Sequence, residues 1–207
     1  MQQTDTVIRD SPKKFIRNVF KLITGMGVGQ VLLVLATPFI TRLYSVKDFG
    51  LWSIFIATQT ILGNIACFRY EYSIITADDD EQAINQLGIS VLFSLFSSNI
   101  IALALLFWGD HFVGWFNIQE FRSFLYLVPI IVLFTALGNG LRYWTSRAGN
   151  FSLIAIARLL SYIIMVGVPL VTGFFFVATA SALIWGTLLG SMIQMFVLSL
   201  ELWRTKA

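Results

Sequence analysis

Residues 159–200 read LLSYIIMVGVPLVTGFFFVATASALIWGTLLGSMIQMFVLSL, and nothing between Arg158 and Glu201 is charged. Such a stretch asks for a bilayer rather than water, because about 20 apolar residues suffice to cross the hydrocarbon core. A single helix of this length would overshoot the bilayer roughly twofold, so the chain must turn back within it. The turn is expected between Thr172-Gly173 and Ser181, where small and turn-forming residues gather, as a tight, buried hairpin.

Working outward, apolar runs recur at residues 22–40, 51–68, 87–108, 124–141, 153–171 and 176–200. Each is near the length of a membrane span. The expected fold class is therefore an all-α integral membrane protein, a bundle of six transmembrane helices. Its parts are a basic segment at 1–21, the helical bundle at 22–202 and a short tail at 203–207. Composition agrees: 57% of the residues are apolar and 12% charged, with a mean hydropathy of +0.79. Soluble domains are about 45–50% apolar and 25% charged. The first run has a basic flank, as a signal peptide does, but it is longer than a usual signal core and lacks a small-x-small cleavage site, so it reads as a retained span. Within the basic segment, a helical lead-in is expected from about Lys13, after Asp10-Ser11-Pro12.

The basic residues set an orientation. Arg9, Lys13, Lys14, Arg17, Lys21, Arg69, Arg142, Arg147, Arg204 and Lys206 fall on one side of the six-span topology. Arg42, Lys47 and Arg122 fall on the other. Basic residues near span ends stay preferentially in the cytoplasm, which puts both termini there. No basic block is interleaved with aromatics as a phosphate-binding face requires, so no nucleic acid is expected as a partner.

Several short motifs favour a packing reading over a chemical one. Gly25-Met26-Gly27-Val28-Gly29 imitates a nucleotide loop, yet no strand precedes it and apolar residues continue through the phosphate position. In a span, Gly25 and Gly29, like Gly186 and Gly190, are GxxxG pairs that let helix backbones approach. Asp78-Asp79-Asp80-Glu81 resembles half of a magnesium-diphosphate site, but the facing half is missing, and an acidic loop capping the third long helix is the simpler reading. Asn150-Phe151-Ser152 is a formal glycosylation sequon placed on the cytoplasmic side. Cys67 is the only cysteine and is expected to pack as a small hydrophobe; His111, the only histidine, is expected in a polar surface connection beside Asp110. No metal, cofactor or catalytic residue is expected.

The polar residues within the runs carry more information, because they are costly in lipid and face a bundle interior or a water-filled cavity. They are Gln30, Gln59, Asn64, Arg69, Glu71, Asn99, Asn139, Arg142, Arg158 and Gln194. Arg158, a full charge inside the fifth run, stands either as an arginine snorkelling to headgroups or, with Arg142 and Arg147 on the adjoining helix, as part of a cationic vestibule. Pro38, Pro129 and Pro169 are placed inside spans and are expected to permit kinks.

The stretches FKLITGMGVGQVLLVLATPFITRLYSVKDFGLWSIF, RYEYSIITADDDEQAINQL and LRYWTSRAGNFSLIAIARLLSYII resemble the first half of bacterial polysaccharide flippases. These are the O-antigen and capsule exporters of the multidrug, oligosaccharidyl-lipid and polysaccharide exporter superfamily, and the likeness covers about residues 14–206. It implies a six-helix lobe of a two-lobed exporter in the bacterial inner membrane. The lobe would help move an undecaprenyl-diphosphate-linked oligosaccharide between leaflets by alternating access. Its partners would be membrane lipid, that lipid-linked oligosaccharide, and a second six-helix lobe supplied by another copy or a separate chain. The resemblance places substrate-binding charges at the inner mouth of the cavity, on Arg69, Glu71, Arg142, Arg147 and Arg158. Arginine forks suit diphosphate oxygens and sugar hydroxyls.

Three rival classes are weighed against this one. A cation antiporter of the same superfamily would keep an acidic residue in its first lobe, and residues 22–40 contain none. An intramembrane enzyme needs converging carboxylates, histidines or a nucleophile and base, and no such set is visible. A structural membrane subunit without transport activity is the third.

Overall fold

The computed structural model describes residues 12–115 and 119–206, with side-chain detail for 27–111, 113–114 and 119–203. In chain order the helices are α1 Pro12–Leu43, α2 Val46–Ile65, α3 Ser73–Thr76, α4 Asp80–Trp115, α5 Arg122–Leu125, α6 Val128–Arg147, α7 Phe151–Phe175 and α8 Ala180–Lys206. Single 3₁₀ turns, Tyr70–Tyr72 and Gln119–Phe121, lead into α3 and α5. No strand occurs among the described residues.

Three helices, α4, α7 and α8, are long and apolar enough to cross a membrane. The count rises to five if two bent pairs each form one span: α2 with Tyr70–Thr76, bent by 59°, and Gln119–Leu125 with α6, bent by 50°. The side-chain-resolved apolar part of α1, Gly27–Leu43, is shorter than a full span. The chain is thus an all-helical, multi-pass membrane protein with three to five candidate spans among the described residues.

Helix ends follow local chemistry. Ser45 caps α2 by accepting from the Asp48 N–H while Asp48 reciprocates on the Ser45 backbone, a capping box that starts the helix ahead of the apolar run. Asp79 accepts from the Gln82 N–H (2.7 Å) at the start of α4, and the acidic loop does cap that helix. Asn150 caps α7 by accepting from Leu153 (3.2 Å), and its amide donates to Glu201 on α8 (2.8 Å). α1 begins at Pro12, a residue suited to the first helical position, and runs without a break from the basic segment into the apolar run. Residues 1–11 of that segment lie outside the described residues.

Packing centres on α7, which lies against both α1 and α8, and on α6, which touches α2, α4 and α8. Small residues make the first contact possible. A Cβ on Gly29 would overlap the Tyr162 ring, and one on Gly190 would stand 2.9 Å from the Ser161 carbonyl oxygen. Gly186 approaches Pro169 and Met165 in the same way. The described glycines of both pairs therefore pack helices together; the side-chain surroundings of Gly25 lie outside the described residues.

Three expectations change. The α7–α8 hairpin lies where expected, between Phe175 and Ala180, but it is not buried: Phe174, Phe175, Phe176 and Val177 are 64–79% exposed. Aromatic and branched side chains at a helix turn can face lipid and headgroups, so they need no protein cover. Pro129 lies at the N-terminal end of α6, just after the 50° bend, where its missing N–H leaves no gap in the helix. His111 and Asp110 belong to α4 rather than to a connection, since that helix continues to Trp115. Pro38 and Pro169 do lie inside helices, α1 and α7.

Candidate functional site

A cavity of about 500 Å³ opens between α1, α2, α6, α7 and α8. Its wall takes Gln30 from α1, Gln59, Thr60 and Asn64 from α2, and Thr135 and Asn139 from α6. Arg158, Ser161 and Tyr162 come from α7, and Thr187, Ser191 and Gln194 from α8. No carboxylate is among the described lining side chains. Six of the ten polar residues singled out in the sequence lie here, as expected where polar groups inside spans gather around an interior cavity.

Arg158 is the one charge among the described residues of that wall. Its Nε is buried with no hydrogen-bond partner, and so is the Gln59 Oε1. Buried polar atoms without partners are uncommon in folded proteins, because each keeps its desolvation cost with nothing to offset it. Arg158 lines the cavity among amides and hydroxyls, a setting in which its guanidinium suits an anion bearing hydroxyl groups. The hydroxyls are less demanding: Thr187 donates to Leu183 O (2.9 Å) and Ser191 to Thr187 O (3.1 Å), each on its own helix.

The other four candidate charges lie outside the cavity, near the end of the bundle where α2 and α6 terminate. Arg147 is held in place: its Nε donates to Asp80 (3.2 Å) and its Nη1 to the carbonyl of Ala77 (2.7 Å). It therefore ties α6 to the start of α4. Arg69 donates to the Tyr72 hydroxyl (2.6 Å), the Tyr72 and Tyr143 rings are 4.9 Å apart, and the Arg142 guanidinium sits 5.1 Å from the Tyr143 centroid. This ladder of arginine, tyrosine, tyrosine and arginine joins the two helix ends by cation–π and ring contacts. Glu71 is 4% exposed, and its Oε2 has no partner.

The backbone explains how Glu71 becomes buried. After α2 the chain turns sharply, with Phe68 and Arg69 at φ 50° and 61°, both in the left-handed region that non-glycine residues rarely adopt. Such strain is held only where the surroundings over-determine it. Cys67, 1% exposed, anchors the turn through its Sγ, 3.1 Å from the Ser94 hydroxyl. It packs as a small buried side chain, as expected.

Sequence reasoning found the amides and Arg158 but passed over Thr60, Thr135, Ser161, Tyr162, Thr187 and Ser191. Hydroxyls leave little trace in a sequence, because Ser and Thr satisfy themselves on the preceding helical turn and are common in spans. Asn99, also singled out, does not line the cavity; its amide donates to Leu95 O on its own helix (2.9 Å).

Comparison with known protein families matches residues 39–206 to the family described as polysaccharide biosynthesis protein. The chain belongs to that family. The match runs from the end of α1 to the end of α8 and takes in every described cavity-lining residue except Gln30 and Leu33. No curated protein and no solved structure matches the chain. Membership and apolar helices together make this a membrane protein of polysaccharide synthesis.

Proposed function

We propose that the protein translocates a polyprenyl-diphosphate-linked oligosaccharide across the bacterial inner membrane, as one lobe of an alternating-access flippase and not as an enzyme. The observation that carries this reading is Arg158, the one charged residue among the described lining of a polar cavity in which no described lining residue is a carboxylate. In this scheme Arg158 holds the diphosphate, and the amides and hydroxyls receive the sugar. Arg69 and Arg142 attract the anion at the cytoplasmic mouth, Arg147 keeps the mouth in shape, and Glu71 sets its floor. The bent pairs and α1 complete six spans, both termini are cytoplasmic, and a second six-helix lobe closes the cavity. The carried glycan is of the O-antigen or capsule type. A cation antiporter is disfavoured, because none of the described lining residues offers a carboxylate to a cation.

The test is glycan export normalised to membrane-inserted protein, measured for Arg158→Lys and Arg158→Ala in cells that contain the complete exporter. Lysine keeps the charge and loses the planar fork, so it is expected to retain part of the export while alanine abolishes it. Equal normalised export by all three proteins would remove Arg158 from the substrate path, as an arginine that merely anchors a helix in headgroups requires.

A further inference from the structure

A second, smaller space adjoins the polar cavity. It measures about 120 Å³ and lies between α1, α2, α7 and α8, and the two spaces share Leu33 and Met165 as a common wall. Beyond that wall the slot is closed by Ile40, Phe49, Val166 and Leu183. Two of its lining residues have polar atoms, and both are already engaged. The Thr37 hydroxyl donates to Leu33 O (2.7 Å), and the Trp52 indole donates to Thr187 Oγ1 (2.9 Å). The slot therefore offers a ligand apolar surface, carbon and the Met165 thioether, whereas the adjoining cavity has Arg158 on its wall.

Distance relates the two. Arg158 and Met165 lie on one helix, seven residues apart, which at about 1.5 Å per residue is roughly 10 Å along its axis. That suits a diphosphate followed by the first carbons of a chain bonded directly to it. With a water occupying about 30 Å³ in the liquid, the slot has room for roughly four methylene-sized groups, the scale of one prenyl unit.

We propose that the slot receives the prenyl unit next to the diphosphate of the ligand whose anionic head Arg158 holds, so that one site reads head and chain together. This rests on the reading of the polar cavity as a diphosphate site. The rest of the chain stays in the bilayer. Moving hydrocarbon from lipid into an apolar slot gains little hydrophobic free energy, so the slot acts on placement and selectivity rather than on membrane affinity. A glycerophospholipid fits less well, because its glycerol separates phosphate from chain.

The experiment uses the full chain in lipid nanodiscs, with binding to empty nanodiscs subtracted. The probes are inorganic pyrophosphate, geranyl diphosphate and dihexanoyl phosphatidate. Geranyl diphosphate is expected to bind about tenfold more tightly than pyrophosphate. Val166→Phe or Leu183→Phe, which fill the slot, should reduce that preference to about onefold and leave pyrophosphate binding unchanged. Arg158→Ala should weaken both diphosphates. A photoreactive geranyl diphosphate on the wild-type protein, which needs no variant to fold, should label the α2 segment holding Phe49 and Trp52. Labelling confined to the lipid-facing residues of α4, a preference that survives slot filling, or phosphatidate binding as tightly as geranyl diphosphate would each overturn the slot while leaving the cavity reading intact. Pyrophosphate binding that is indifferent to Arg158→Ala would instead overturn the cavity reading, and the slot proposal with it.

Discussion

The two ends of the bundle differ in how completely their polar groups are paired. Where α1 meets α2 and α7 meets α8, the polar groups are engaged. Asp48 closes the α2 capping box and also accepts from the Ala180 N–H at the start of α8 (2.8 Å). The Tyr44 hydroxyl donates to Pro169 O (2.8 Å), and burial pushes its pKa upward, which keeps it a donor. Lys47 pairs with Glu120, and Arg122 with Asp110 (2.9 Å). Toward the other end, Arg142 Nε, Arg158 Nε, Glu71 Oε2 and Gln59 Oε1 are buried without partners. One region pairs its polar groups to close the bundle, whereas the other has both paired groups, such as Arg147 on Asp80 and Asn150 on Glu201, and buried polar atoms left without partners. That contrast separates residues whose hydrogen bonds secure the fold from residues with buried polar atoms that contribute none.

The contrast breaks most visibly at Arg158. Alanine there should lower affinity for a prenyl diphosphate by about 10- to 100-fold, since a hydrogen bond to a charged group is worth roughly 1.5–3 kcal/mol. The thermal midpoint should not fall, because the Nε has no partner to lose. A clear drop in that midpoint on Arg158→Ala would mean the side chain secures the fold after all.

Asp48→Ala should do the reverse. It removes one half of a capping box and the acceptor for α8, so a loss of about 1–2 kcal/mol is expected, read as a lower unfolding temperature with diphosphate binding retained. An unchanged midpoint would show that the closed end is secured by packing alone.

Glu71→Gln keeps the shape of a buried side chain and removes its charge. With Oε2 unpartnered, the change should be neutral or stabilising, and a loss above about 1 kcal/mol would reveal a partner bound to the carboxylate. The smallest effect belongs to Lys47→Gln. Lys47 and Glu120 are 69% and 54% exposed, and an exposed pair contributes about 0–1 kcal/mol and is screened by salt. Unfolding in low and high salt should differ little between this variant and the wild type.

The sequence by itself determined the helical, membrane-crossing character of the chain, the position of each long helix, the α7–α8 turn and most of the amides and the arginine of the cavity. The physical reason is that lipid enforces a simple rule: apolar runs must be long, and polar groups within them must find an interior. Capping by the acidic loop at Asp79 and the packing of Gly29, Gly186 and Gly190 were legible for a similar reason, as each is a local pattern. The rest was decided by tertiary structure. Nothing in FRYEYS signals that Phe68 and Arg69 adopt left-handed conformations and fold Glu71 inward, because the turn is seated by contacts with other helices, such as Cys67 with Ser94. Nor can spacing distinguish Arg147, held by Asp80 and Ala77, from Arg158, whose Nε is left unpartnered. Both are arginines near a helix end, and only the arrival of a distant acceptor at one and not at the other gives them different roles.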